Sequence, residues 1–316
     1  MISRDKLKQV RKVIAHGGRC ADGRASAMII NKAYQHVNMQ IPIEFVMHNT
    51  KEHHDLVPEP GLLFVDFSVP PEKADAFFEA GTLILDHHRG PKGENKKIVQ
   101  RFEEAGLGVF ADEDDDPGVS GALLAYNHVW EPLTGLPDLY MRGFAELAGV
   151  RDTWQKKDPR WKTAFEQHEA IQFWPEEHLL KADVPKWPQL LKLGEILVSR
   201  KEATILKVSE NLYHWTSKAG TRVCTFQGTK LSSDMAELLD NKVDLVMAFD
   251  FRQEGDKISV IYSTRSHTHF DCSKLCGHYG GGGHTRAAGF EHPIGLDSPN
   301  PYKLAIDLLD SYEVHA

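Results

Sequence analysis

The sequence predicts an α/β protein of two domains. The N-terminal domain has a mainly parallel β-sheet flanked by helices, and a smaller C-terminal α/β domain follows a helical linker. Three observations carry this prediction. Short apolar runs alternate with helical patterns through the first half, as in β-α-β units. At 316 residues the chain exceeds what one hydrophobic core usually serves. A long stretch with few helix breakers, residues 191–212, separates two such patterned regions.

Residues 12–16 (Lys-Val-Ile-Ala-His) read as a buried strand, followed by a glycine turn and a helix over 24–33. Residues 43–47, 61–66 and 82–86 are further strands, each apolar until a polar end. In open α/β sheets functional side chains gather at the carboxyl edge of the strands, where this reading places His16, Asp66 and Asp86-His87-His88. Helices are expected over 119–129 and 139–150, then peripheral helices rich in Trp, Lys, Glu and Pro up to about residue 190. A second α/β unit begins near Tyr213, with strands at 222–226, 243–249 and 257–263 and helices at 231–240 and 302–311. The domains are therefore expected at 1–190 and 213–316, with 191–212 as the linker. The acidic run 112–116 reads as a solvated loop.

Net charge −8 excludes a protein that tracks long nucleic acid by wholesale phosphate neutralisation. An acidic chain that handles phosphate must supply positive charge locally, through metals, a few Arg and His residues or backbone N–H groups. Four cysteines are too few for a disulfide scaffold in a chain of this size. The first residues do not read as a signal peptide, and no run approaches 18 apolar residues. A cytoplasmic protein without a membrane partner is expected.

Four segments carry candidate chemistry. His16-Gly-Gly-Arg-Cys20-Ala-Asp22-Gly23 follows a strand, and its glycines let the backbone turn so that side chains at 16, 20 and 22 converge. Alone, such a turn could equally make local hydrogen bonds. Asp66, just past three apolar residues, could by itself be a turn former. Leu85-Asp86-His87-His88 is harder to explain by packing, because two buried unpaired imidazoles would cost several kcal/mol. Metal ligation relieves that cost, and the adjacent Asp can fix an imidazole tautomer. The fourth segment is Gly280-Gly281-Gly282-Gly283-His284-Thr-Arg286, where glycines would let N–H groups approach an anion. Thr285 to Ala288 is read there as the start of a helix whose N-terminus favours phosphate.

Taken in order, these motifs resemble the DHH phosphoesterase superfamily, in the branch with a C-terminal DHH-associated domain that includes RecJ-like exonucleases and nanoRNases. The resemblance covers nearly the whole chain. It implies two divalent metal ions, most simply Mn2+, held by His16, Cys20, Asp22, Asp66, His87 and Asp152, with Asp66 bridging. It implies that His88 faces the phosphate and that Asp86 supports the histidine pair. Ser120, opening a helix with Gly121, resembles a short family Ser-Gly segment and is expected to touch substrate. Arg265, in a Ser-x-Arg segment, is expected to grip phosphate or base with Gly281, Gly282, Gly283 and His284.

One departure stands out: Cys20 occupies a position where the family usually has Asp. A thiolate would shift preference toward Zn2+ or Fe2+ over Mn2+ or Mg2+, and packing within the turn is the alternative role. A zinc site at Cys272-x3-Cys276-x-His278 lacks a fourth ligand at a standard interval. Trp154, two residues beyond Asp152, could stack a base, as in single-strand binders.

The expected reaction is metal-dependent hydrolysis of short linear nucleotides such as nanoRNA or pGpG. The acidic charge favours short substrates, and so does the short length left after the associated domain. Alternatives are a cyclic-dinucleotide phosphodiesterase, a single-strand exonuclease or a non-catalytic nucleotide-binding regulator. The partner is thus a dinucleotide or short RNA or ssDNA, and a homodimer is compatible with the sequence.

Overall fold

The computed structural model describes residues 2–18, 20–89, 93–112, 118–181, 187–295 and 297–315, without the side chains of His284 and His315. The chain divides into two compact units, Met1–Ser199 and Arg200–Ala316.

The first unit is built on five parallel strands: β1 (Lys12–His16), β2 (Ile43–Val46), β3 (Leu62–Val65), β4 (Leu83–Asp86) and β5 (Gly108–Phe110). Their order is β2-β1-β3-β4-β5. The central strands are apolar at every inner position because helices cover both faces, as parallel sheets require. Alternate residues serve opposite faces. Val13, Ala15, Leu63, Val65, Leu83 and Leu85 pack into one core, and Ile14, Phe64 and Ile84 into another with Phe77 and Phe102.

The order reverses between β1 and β3. At such a switch point two neighbouring strands send their connections to opposite sides and leave a crevice at their carboxyl ends. His16 ends β1, Asp66 follows β3 and Asp86 ends β4, so the candidate residues stand around this crevice.

The helix expected over 24–33 runs Ala21–His36, and its start is set by Cys20, whose Sγ accepts the Gly23 N–H. The helix expected over 119–129 begins at Gly121 and stays helical through Thr134. Gly121–Ala125 is α-helical, and Tyr126–Trp130 widens into a π-turn before Pro132. The long helix is described over Trp187–Ser209, so it ends three residues before the expected 212.

The second unit carries a mixed six-stranded sheet, β10-β11-β9-β8-β7-β6. Its strands are β6 (Tyr213–Thr216), β7 (Arg222–Gln227), β8 (Leu245–Glu254), β9 (Lys257–Arg265), β10 (Gly282–His284) and β11 (Ala287–Ile294). Only β7 and β8 pair in parallel. Val223, Met247, Tyr262 and Phe290 pack beneath the helices Cys272–His278 and Pro301–His315. Among the described residues no helix is long and apolar enough to cross a membrane.

Candidate metal centre

Asp66 is the focus of the crevice. It leaves β3 in the left-handed region at φ 65°, a conformation Asp tolerates better than most residues, and its N–H donates to the Leu85 carbonyl at 2.9 Å. That turn points a fully buried carboxylate back over the sheet edge. One oxygen accepts from the Cys20 thiol at 3.0 Å and lies 3.3 Å from His16 Nδ1. The other meets His87 Nε2 at 3.1 Å.

Three groups of donor atoms, each mutually within 4.8 Å, form around it: His16, Cys20 and Asp66; Asp66, His87 and His88; Asp22, His87 and Asp152. Asp66 joins the first two groups and His87 joins the last two, so they make one continuous cluster. All six residues expected as ligands fall within it. His88, expected only to face phosphate, also has a ring nitrogen within this reach.

Each side chain is held by a separate element. Asp22, in the first turn of Ala21–His36, accepts from the Gly121 N–H at 2.5 Å and the Ala122 N–H at 3.0 Å, the opening amides of the next helix. Asp152 is the last residue of Leu139–Asp152, and its Oδ2 lies 3.6 Å from His87 Nε2. Asp86 is fully buried and stays outside the three groups. One of its oxygens accepts from the His87 and His88 N–H groups at 2.8 and 3.1 Å and meets His88 Nδ1 at 2.8 Å. Its other oxygen accepts from Asn95 at 2.7 Å. Asp86 therefore shapes the histidine turn and leaves His88 Nε2 as the ring atom available outward.

Two glycines make the approach of these elements sterically possible. A Cβ on Gly23 would lie 2.2 Å from the His16 carbonyl oxygen, and one on Gly121 would lie 2.5 Å from the Asp66 Cβ.

The electrostatics fit a cation site. Burial, then Asp66 and Asp152, hold the Asp22 carboxyl well above the usual range, and burial with Asp66 also raises Asp152. Burial and the surrounding acids push the Cys20 thiol well up, consistent with its donating to Asp66. For Asp66, burial alone would raise the carboxyl, but the imidazoles of His16, His87 and His88 outweigh it and hold it well below the usual range. Burial would lower His87, yet its contact with Asp66 and the nearby acids bring it to about 9. For His88 burial is likewise overcome, chiefly by Asp86, to about 10. Among the described residues, buried His16 Nδ1 has no well-aligned hydrogen bond, its nearest acid being Asp66 at 3.3 Å. Crowded acids that must take up protons, beside an imidazole nitrogen so weakly held, form a donor set that divalent ions would relieve on both counts.

Several expectations are corrected. Ser120 is fully buried, and its hydroxyl accepts from the Leu123 N–H at 3.2 Å as a helix cap. Residues 285–288 do not start a helix: Thr285 and Arg286 form a turn between the antiparallel strands β10 and β11. The Gly281 N–H is committed to the Cys276 carbonyl at 2.8 Å. Gly281 and Gly283 are required because added Cβ atoms would lie 2.2 Å from the Gly289 oxygen and 2.6 Å from the Ala287 oxygen. The glycines thus let β10 lie flat on β11. The side chain of His284 is outside the described residues. Arg265 ends β9 and donates to Ser233 Oγ at 3.0 Å, Ser263 Oγ at 3.1 Å and the Thr264 carbonyl at 2.8 Å. Asp112 is buried and pairs with Arg89 and Lys96; the remainder of that acidic run, 113–116, lies outside the described residues. Cys272 and Cys276 are core residues, and no donor group among the described residues includes them.

Sequence reasoning missed Asn95 and His53. The latter is fully buried, meets the Ser68 carbonyl at 2.9 Å and packs its ring 5.3 Å from Phe67, which in turn stacks on His16. No motif flags either residue; their roles arise only from folding.

No protein-family model matches the chain, and no curated protein matches it. Solved structures do. A pGpG-specific phosphodiesterase, PggH from Vibrio cholerae, superposes with TM-score 0.59 at 11% identity, over 98% of this chain and 100% of that one. The DHH domain of a member of the s1p family of ribosomal proteins gives 0.58 at 12% identity, over 99% and 88%. RecJ in complex with Mn2+ from Thermus thermophilus gives 0.53 at 16% identity, over 99% of this chain and 53% of that longer one. These likenesses show that the chain shares the fold of those structures, a DHH domain among them.

Proposed function

We propose that this protein is a metal-dependent phosphodiesterase acting on short linear nucleotides, dinucleotides such as pGpG above all, and releasing mononucleotides. The observation that carries the reading is the continuous donor cluster at the β1/β3 switch point, in which Asp66 and His87 are each shared between groups. Two sharing residues suit two neighbouring ions, and the three carboxylates of the donor set suit Mn2+. The likeness to a pGpG-specific phosphodiesterase and to a Mn2+ complex supports this choice.

His16, Asp22, Asp66, His87 and Asp152 would hold the ions, with Cys20 either joining as thiolate or remaining a hydrogen-bond donor to Asp66. When bound, paired divalent ions supply an activated nucleophile and neutralise charge on the phosphoryl oxygens. His88, oriented by Asp86 through Nδ1, places a proton on Nε2 and donates it toward a phosphoryl oxygen or the leaving group. Asp22, tied to two backbone amides, cannot swing out of the cluster, so the donors stay preorganised. In the second unit, Arg265 is proposed to bind a nucleotide phosphate, its fork being aligned by Ser233 and Ser263.

Purified protein with Mn2+ should convert pGpG to GMP faster than it degrades longer RNA, cyclic-di-GMP or pyrophosphate. Faster turnover of one of those three would replace the substrate class. No turnover of any of them would refute the enzyme reading.

A further inference from the structure

The helix ending at Asp152 closes with a paired turn: the Trp154 N–H donates to the Arg151 carbonyl at 3.3 Å and the Gln155 N–H to the Val150 carbonyl at 2.9 Å. This pattern places its next-to-last residue in the left-handed region, a position glycine fills without strain. Here it is Trp154, at φ 58°. A bulky aromatic is a poor choice for that backbone, and the residue is 45% exposed.

The ring is nonetheless held in place. The Arg151 guanidinium lies 4.1 Å from the centre of Trp154 and also against Trp161 at 5.4 Å and Phe165 at 5.3 Å. Trp161 meets Trp154 edge-on at 5.4 Å, and the Lys156 ammonium is 4.8 Å from the Trp154 ring. An exposed, braced indole with cations beside it, in a chain of net charge −8, has the composition of a nucleotide-stacking surface. It follows Asp152 by two residues, so the two Cα atoms are at most roughly 7.6 Å apart. The platform's backbone thus adjoins that of a donor residue.

We propose that Trp154 is a base-stacking platform that seats the nucleobase next to the scissile phosphate. The protein would then select phosphoesters that carry bases over base-free ones. This rests on the phosphodiesterase reading for its consequence in catalysis, but not for its consequence in binding.

The test compares wild type with Trp154→Gly, which removes the ring and relaxes the backbone, and with Trp154→Phe, which keeps a smaller platform. With Mn2+, Trp154→Gly should lower kcat/KM for pGpG about 10- to 100-fold, the range expected for one lost base stack. On the corresponding abasic dinucleotide it should change the rate less than about two-fold, and Trp154→Phe should fall between. Equal losses on both substrates, or no loss on either, would overturn the proposal. If wild type hydrolyses neither substrate, the functional reading fails and calorimetry with GMP and ribose 5-phosphate decides alone. Tighter binding of GMP that Trp154→Gly abolishes supports the platform; equal binding of the two, or GMP binding unaffected by the variant, overturns it.

Discussion

Asp66 concentrates the account in one side chain, because it accepts from Cys20, meets His87 and joins two of the three donor groups. Asp66→Asn preserves shape but removes the charge, and should lower kcat with pGpG by more than about 100-fold, beyond the usual 10- to 100-fold effect of residues that merely support a ligand. Asp86→Asn should fall within that 10- to 100-fold range, since Asp86 acts through the histidines and lies outside the three donor groups. Its pH–rate profile should shift along with the loss, because Asp86 is what holds His88 high; an unshifted profile would mean that Asp86 is only a turn former. Gly121→Ala tests the steric side. The new methyl meets Asp66 Cβ at 2.5 Å, so stability should drop by about 1–3 kcal/mol in chemical denaturation, and activity should fall with it.

At the scale of elements, the cluster depends on how helices begin and end. Ser120→Ala should cost about 1 kcal/mol by uncapping the helix that holds Asp22, and activity should fall as the Gly121 and Ala122 amides loosen. An unchanged denaturation midpoint would contradict the capping role. Much of this layer was legible in the sequence. The strands ending in His16, Asp66 and Asp86 stood out because unbroken apolar runs must be buried on both faces and must stop where polarity begins. β5 did not, since Gly108-Val-Phe110 is too short to show a pattern. The glycine segment was read as a helix start because glycine composition alone does not distinguish an anion loop from a strand that must lie close to its neighbour. The structure pairs β10 with β11, and that register depends on residues distant in sequence. The Ser120 cap was hidden for a similar reason: a Ser-Gly pair opening a helix looks the same whether its hydroxyl caps or binds.

At the scale of the whole molecule, proton and metal binding are linked. His87 is raised to about 9 and Asp22 and Asp152 are raised as well, so cation binding must displace protons from the cluster. Without metal, the raised His87 contributes stability that is fully present below its unfolded value near 6.5 and is lost as pH rises through about 9. Mn2+ reverses that trend, because it needs the neutral imidazole. The Mn2+-induced gain in Tm should therefore grow from pH 6 to pH 9, and calorimetry in buffers of different ionisation heat should show proton release. A gain that shrinks over this range would contradict the linkage. Each unit has its own core, so amides at the ends of β1, β3 and β4 should gain hydrogen-exchange protection with Mn2+ while those of β7 to β9 do not.

The central claim is that His16, Asp22, Asp66, His87 and Asp152 form one seat for two divalent ions. Equilibrium dialysis against Mn2+ tests it most directly, with wild type and Asp66→Asn at pH 8. The account predicts two ions per wild-type chain and a loss of at least one in the variant. Wild-type protein that binds none, or a variant that binds both with unchanged affinity, would contradict it.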